Sequence, residues 1–195
     1  SRSSAASDVY KRQNKGYGNS TTIAFDICDT VSAGLVLLSL AETIGTRLRR
    51  DQVRIQVIAV SIKYADFTCV SHQKTLPAST NITNEIHHAA MELFQEAWDG
   101  CTPIRHLGIH TNHVRDNTDC RQLHLLDMEP SPLYREEVPC YEKLAQADTM
   151  ADQIRGRFGI DSLKRAVFVK QNAMDHMAGG ITREKMDVDY DKERL

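Results

Sequence analysis

Four side chains in the middle of the chain are of types that ligate zinc. On a strand, alternate residues share a face, so His106 and His110 would lie together and His113 would point away. Cys101 would precede that strand, whereas structural zinc sites usually present paired ligands on tight turns. We therefore predict no metal site. The four residues are Cys101, His106, His110 and His113.

Two other groupings contain residues that could take part in catalysis. Cys69 and His72 could form a thiolate–imidazole pair, but such a pair needs a third orienting group and donors for an oxyanion. The sequence indicates neither. Asp187, Asp189 and Asp191 alternate near the end of the chain. Two-metal phosphoryl transfer requires carboxylates held by a rigid scaffold, so we interpret this run as a solvated tail and predict no catalytic residues.

The stretch 58–75 favours binding rather than catalysis. Residues 58–63 alternate between apolar and small or polar side chains, which is the period of a half-buried strand. Asp66 marks a turn, and Thr68–Thr75 form a second strand rich in hydroxyl, amide, imidazole and ammonium groups. These groups commonly contact phosphate and sugar oxygens. The pattern predicts a hairpin whose apolar back is covered and whose polar front lies on nucleic acid.

Hydrophobic periodicity along residues 15–114 predicts the element order β-α-β-β-α-β. Asp29 or Thr30 would cap the first helix, and Pro77 is expected to end the third strand. This order is typical of an α+β fold in which two helices back one face of a four-stranded antiparallel sheet. The strands are expected over 15–27, 53–64, 68–76 and 104–114, and the helices over 30–50 and 83–99.

The remaining segments differ in composition from this region. Residues 1–13 are Ser-rich and polar, and Asp8–Gln13 resembles the translated end of a transposon sequencing adapter, so they are excluded from the fold. Residues 117–140 contain three prolines and are interpreted as a linker. Residues 141–195 are expected to form a helix over Tyr141–Phe158 and then a tail. That helix should bury one stripe, formed by Ala147, Ala151, Ile154 and Phe158.

The composition is that of a soluble globular protein, with 195 residues, 41% apolar and 26% charged. The net charge of −2 excludes recognition of nucleic acid by bulk charge, so any positive surface must be confined to one face. Five cysteines without a Cys-x-x-Cys pair favour reduced thiols. We expect no membrane span and no signal peptide, and therefore a cytoplasmic location. We also expect a monomer.

Six stretches, in order, carry a resemblance to a known family. They are GNSTT, IKYADFTCVSHQKTL, TNEIHHAAMELFQEAWDG, PIRHLGI, YEKLAQADTMADQIRGRFGIDSLKRAVFV and HMAGGITREK. Through them the chain resembles the C-terminal part of a bacterial Y-family translesion DNA polymerase of the DNA polymerase IV-like branch. The resemblance implies that residues 14–116 are a little finger domain, which lies in the major groove of primer-template DNA and grips mainly phosphates.

The resemblance also implies which residues contact duplex DNA. Several are histidines where some family members have arginine, so the electrostatic grip should be weaker near neutral pH. The implied parent protein is an error-prone DNA-directed DNA polymerase that uses Mg²⁺ in a catalytic palm. No stretch of this chain matches the palm, so we expect no activity and no cofactor here. The implied DNA contacts are Ser20, Thr21, Ser71, His72, Gln73, Lys74, Thr75, Arg105, His106 and His110.

The run Gln122–Leu126 resembles the bacterial sliding-clamp-binding pentapeptide Gln-Leu-x-Leu-Phe, with leucine in the last place. Its implied clamp contacts are Gln122, Leu123, Leu125 and Leu126. Two alternatives stay open. A sheet module for single strands would stack bases on exposed aromatic side chains, for which Tyr64 is the candidate. A protein-interaction module would act through the clamp motif alone.

Overall fold

The computed structural model describes residues 16–116 and 134–169, together with Met177, but not the side chains of residues 24, 25 and 134–140. Residues 1–13, the predicted clamp-binding run Gln122–Leu126 and the three tail aspartates lie outside the described residues. The strands are β1 (Gly16–Ile27), β2 (Val53–Tyr64), β3 (Cys69–Thr80) and β4 (Ile104–Asp116). The helices are α1 (Thr30–Arg50), α2 (Thr83–Ala97), α3 (Tyr134–Phe158) and α4 (Ala166–Val169), with a 3-10 turn at Ile160–Ser162.

The strands form one antiparallel sheet in the order β1-β4-β2-β3, with α1 and α2 packed against one face. This confirms the predicted α+β fold. Asp29 caps α1 as predicted, because its carboxylate accepts a hydrogen bond from the Ser32 N–H at 2.6 Å. The core consists of the apolar stripes of the two helices and one side of each strand, including Leu37, Ala41, Ile44, Leu48, Ile86, Ala90, Leu93 and Phe94.

β3 continues to Thr80, so the prediction that Pro77 ends this strand is wrong. β3 is an edge strand, and a proline there removes a donor that the ladder does not need. The register with β2 also shifts between Ile55 and Val57, so Pro77 lies beside an irregular part of the ladder. The same shift is a β-bulge, and across it the buried positions of β2 change from Val53 and Ile55 to Ile58, Val60 and Ile62.

By length and composition alone, α1 is long and apolar enough to span a membrane. No such segment was expected from the sequence. However, 67% of its most apolar window is buried inside the protein. The helix is apolar because it packs on the sheet along one side and against α2 along another.

α3 begins at Tyr134, seven residues before the predicted start, and includes Pro139. The predicted orientation of this helix is wrong. Ile154 and Phe158 of the expected buried stripe are 40% and 67% exposed. The residues that contact α1 are instead the charged Asp148, Asp152 and Arg155, because α1 offers ionic partners and not an apolar groove on this side.

Arg49 of α1 is the centre of the first group of contacts. It donates to Asp148 at 3.0 Å and to Asp152 at 2.5 Å. Asp148 also accepts a hydrogen bond from the Thr83 N–H at 2.8 Å, at the start of α2. The residue that precedes α2 is Ile82, whose side chain cannot cap a helix, so a carboxylate from α3 satisfies this amide.

Glu42 of α1 is the centre of the second group. Its side chain is 3% exposed, and its carboxylate accepts hydrogen bonds from Arg155 at 3.3 Å and Arg165 at 2.5 Å. A buried carboxylate requires such compensation, because removing one partner of a buried ion pair leaves an uncompensated charge. Both arginines belong to the segment after β4, which therefore neutralises a charge inside the sheet domain.

Replacing Asp148 by alanine should destabilise the protein. A lost helix cap costs about 1 kcal/mol and a lost hydrogen bond to a charged group about 1.5–3 kcal/mol, so we expect Asp148→Ala to lower the free energy of unfolding by about 2 kcal/mol. Urea denaturation followed by circular dichroism measures this change. The control is Glu142→Ala, at an exposed position of the same helix, which should change stability by less than about 0.5 kcal/mol. Equal losses in both variants would contradict the capping role.

Candidate nucleic-acid interface

The sheet has a second face, opposite the helices, which we call the open face. Strand register defines it, because residues paired across antiparallel strands project to the same side. Four rows run across the strands in the order β1, β4, β2, β3. They are Gly16, Asn112, Val57 and Thr75; then Gly18, His110, Ala59 and Gln73; then Ser20, Gly108, Ser61 and Ser71; and last Thr22, His106, Lys63 and Cys69.

The centre of the open face is formed by very small side chains. A Cβ atom added at Gly108 would lie 2.7 Å from the Ser61 Oγ and 3.0 Å from the Ser20 Cβ. One added at Gly18 would lie 2.8 Å from the Nδ1 atom of His110. A larger residue at either position would displace its polar neighbours. The short side chains allow another molecule to approach the strands closely along their middle rows.

Most of the predicted DNA contacts lie on this face. The predicted alternation along β4 is confirmed, because His106 and His110 are on the open face while Leu107 and Ile109 are buried against the helices. Ser71 shares its row with Gly108 of β4, and Gln73 shares its row with His110. The predicted residues on the open face are Ser20, Ser71, Gln73, Thr75, His106 and His110.

Thr21, His72 and Lys74 lie on the helix side of the sheet, so the expectation that they share the polar face is wrong. Their rows contain Leu107, Val60 and Ile58, all buried in the core. The family resemblance implied DNA contacts at five consecutive residues, 71–75. Successive residues of a strand point to opposite faces, so only alternate ones can lie on the open face. Lys74 pairs with Glu92 of α2, and this hydrogen bond lowers the pKa of the Glu92 carboxyl.

Tyr64 is buried on the helix side, and its hydroxyl donates to the Ala97 carbonyl at 3.3 Å. Burial raises the pKa of this phenol, with a further contribution from the Asp99 carboxylate. It therefore cannot stack on a base, and the single-strand alternative loses its predicted aromatic.

Cations lie at both ends of the open face. Lys63 is in the last row, and the exposed Arg105 follows where the β2–β4 register is irregular. Arg105 also forms an ion pair with Asp26 at 3.5 Å. At the other end, Arg54 and Arg115 are directly opposite each other on β2 and β4. Opposed like charges destabilise a sheet, so this pair concentrates positive charge at a structural cost.

Sequence reasoning missed Arg54, Lys63 and Arg115 as candidate contacts. The alternation of buried and polar residues along the strands could have identified them. Arg54 lies between Val53 and Ile55, which are buried, and Lys63 alternates with Ile62 in the same way. Each cation faces away from its buried neighbours, and the register shift between Ile55 and Val57 brings the two, nine residues apart, to the same face.

Two histidines supply neutral polar groups between the cationic ends. The Nδ1 atom of His106 lies 3.1 Å from the Thr22 Oγ1, and the Nε2 atom of His110 lies 3.5 Å from the Ser61 Oγ. Burial lowers the pKa of His106, and the charge of Lys63 and the proximity of His110 lower it further. His106 therefore contributes hydrogen bonding rather than charge near neutral pH. Among the described residues, no three His, Cys, Asp or Glu side chains converge on a point that could hold a metal.

Comparison with known proteins identifies the family. The sequence model of the impB/mucB/samB family C-terminal domain matches residues 14–125. The match covers more than half of this chain, and the chain belongs to that family. All four strands and both sheet-packed helices lie within the matched residues.

The chain is similar to the DNA polymerase IV of Clostridium acetobutylicum, with 30% identity over 162 residues, which are 83% of this chain and 38% of that polymerase. It is 29% identical over 104 residues to the DNA polymerase IV of Listeria monocytogenes serotype 4b, covering 53% of this chain and 29% of that polymerase. The chain thus spans about two fifths, or less, of the curated relatives it matches. Its predicted correspondence to the C-terminal part of a DNA polymerase IV-like protein is confirmed.

A similar solved structure is that of the little finger domain of PolIV in complex with the beta-clamp processivity factor. It is 23% identical to this chain, and the alignment covers 56% of this chain and 97% of that chain with a TM-score of 0.43.

Proposed function

We propose that this chain is the DNA-binding little finger part of an error-prone lesion-bypass DNA polymerase, and that its open face grips the backbone of primer-template DNA. The observation that best supports this proposal is the composition of the open face. It combines short side chains and hydrogen-bond donors in its middle rows with cations at both ends. Both sheet-packed helices lie on the other side.

The spacing of the cations fits a duplex. Arg54 and Lys63 are nine residues apart on β2, which corresponds to about 30 Å at about 3.3 Å per residue. The major groove of B-DNA is about 12 Å wide. Cations at both ends of the face can therefore reach both phosphate backbones that border a groove, while the small side chains of the middle rows face the groove.

The chemistry of the face favours binding without sequence preference. Hydroxyl, amide and imidazole groups commonly contact phosphate and sugar oxygens, and the middle rows contain no arginine, the residue that makes the commonest specific base contact. Cations that contact phosphates release counterions, so affinity should fall as salt rises. With Arg54, Lys63, Arg105 and Arg115 as contacts, the slope of log affinity against log salt should be about −3.6.

Two neighbouring edge-strand residues test which face binds DNA. Ser71 and His72 are both exposed on β3 but lie on opposite faces. A carboxylate on the open face would repel phosphate by about 1 kcal/mol at about 4 Å in water, so Ser71→Glu should weaken duplex binding roughly fivefold. His72→Glu is the matched control and should change affinity less than about twofold. Fluorescence anisotropy of a labelled duplex measures both affinities, and an equal effect of the two substitutions would exclude the open face.

We propose that nucleotidyl transfer and Mg²⁺ binding belong to the catalytic palm of the parent polymerase and not to this part. Two-metal transfer requires carboxylates that converge on the metals. Primer extension with Mg²⁺ or Mn²⁺ and all four nucleotides should give no product with this chain, whereas a full-length DNA polymerase IV extends the same primer. Templated incorporation that copurifies with the chain would disprove this assignment.

We also propose that Gln122–Leu126 binds the hydrophobic cleft of a bacterial sliding clamp. Leu123, Leu125 and Leu126 supply the apolar side chains that such a peptide would bury. Leucine in place of the final phenylalanine loses about 1 kcal/mol of burial, which places the affinity several-fold below that of the consensus peptide. We further propose, from the sequence alone, that the protein is a cytoplasmic monomer.

Calorimetry of a peptide spanning residues 120–128 against a clamp tests this proposal. Leu126→Phe should tighten binding several-fold because it restores the lost burial. Gln122→Ala combined with Leu125→Ala should abolish binding, and in the full chain neither change should alter duplex affinity. If this peptide gives no heat of binding under conditions where the consensus peptide binds, Gln122–Leu126 is only part of a linker.

A further inference from the structure

The turn between β2 and β3 holds Phe67 in an unusual backbone conformation. Its φ angle is 71°, in the left-handed region that bulky residues avoid. Hydrogen bonds fix the turn. The Phe67 N–H donates to the Tyr64 carbonyl at 3.1 Å, and the Asp66 carboxylate accepts from the Thr68 N–H at 2.9 Å and from its hydroxyl at 2.6 Å. The strain is therefore maintained by the local structure.

This turn presents an aromatic ring to solvent beside two cations. Phe67 is 63% exposed. The Lys63 Nζ lies 4.9 Å from the ring centroid, and the Cζ of Arg105 lies 5.9 Å from it. Lys63 belongs to the last row of the open face, so the ring lies just beyond the end of that surface.

An exposed ring flanked by cations has the chemistry of a single-strand contact. Bases stack on aromatic side chains whatever their sequence, and nearby cations bind the adjoining phosphates. The bases inside a duplex are already stacked on both faces, so a ring of this kind can gain stacking only beyond the last pair, where an unpaired base is available. The position of Phe67 is where a duplex lying on the open face would leave the sheet.

We propose that Phe67, with Lys63 and Arg105, binds the first unpaired nucleotide where a single strand leaves the duplex held on the open face. This inference rests on the proposed duplex binding and adds a second ligand class, an unpaired nucleobase with its flanking phosphates. It gives the domain a preference for duplex–single-strand junctions over continuous duplex. The alternative is that the ring only shields the two cations, in which case the junction gains nothing.

Phe158 provides a matched control within the chain. It is also a phenylalanine, is 67% exposed, and has a cation, the Arg157 Cζ, 5.3 Å from its ring centroid. It lies at the end of α3, whose charged side contacts α1 on the helix side of the sheet. A general effect of exposed phenylalanine on DNA binding would appear at both positions, whereas a junction site would appear at Phe67 alone.

The test compares two probes with the same paired sequence, a blunt duplex and a duplex with a short single-stranded overhang, at fixed salt. The full chain should bind the overhang duplex roughly tenfold more tightly, as expected for one stacked base. Phe67→Ala should remove this preference and keep the affinity for blunt duplex, and Phe67→Tyr should retain it. Phe158→Ala should change neither affinity.

A third probe tests the same site without altering the protein. An abasic nucleotide at the first unpaired position should remove the preference in the unsubstituted chain, because no base remains to stack. The inference fails if blunt and overhang duplexes bind equally, if the abasic probe keeps the preference, or if Phe67→Ala weakens both probes alike. Absence of binding to any duplex would instead refute the proposed function of the open face.

Discussion

The fold depends on the register of β4, which lies between β1 and β2 in the sheet. Leu107 and Ile109 complete the core only because His106 and His110 face the other way. A slip of one residue would bury the imidazoles and expose the leucine and isoleucine. The same pairing that builds the hydrophobic core therefore also assembles the polar surface, and neither can change without the other.

The distribution of charge follows from this division into two faces. The protein carries a net charge of −2, yet the open face gathers cations at its ends. Acidic residues are used on the helix side, where Glu42 of α1 and Asp148 and Asp152 of α3 form the ion pairs that join the C-terminal segment to the sheet domain. Glu92 pairs with Lys74 on the same side. The net charge therefore does not predict whether such a protein binds an anionic ligand, because the ligand contacts only one face.

Much of the fold could be predicted from the sequence, because alternation in strands and stripes in helices record contact with a core. Two features could not. The period of α3 shows that Ile154 and Phe158 lie on one side of the helix, but not that Arg49 and Glu42, about a hundred residues earlier, attract the opposite side. The resemblance marked Ser71–Thr75 as a run, although a strand divides such a run between two faces. Phe67 was missed because its role depends on backbone conformation and on neighbours brought together by folding.

The burial of Glu42 makes the folding unit longer than the family domain. The family match ends at residue 125, whereas Arg155 and Arg165, the cations beside this carboxylate, come later in the chain. A protein cut at the family boundary would keep all four strands but lose both arginines that pair with Glu42, together with the segment that carries them. Glu42 of α1 and the segment after the linker therefore act as one unit in this structure. Loss of the segment would remove both cationic partners of this carboxylate in a single step, so the glutamate and the two arginines contribute to stability only together.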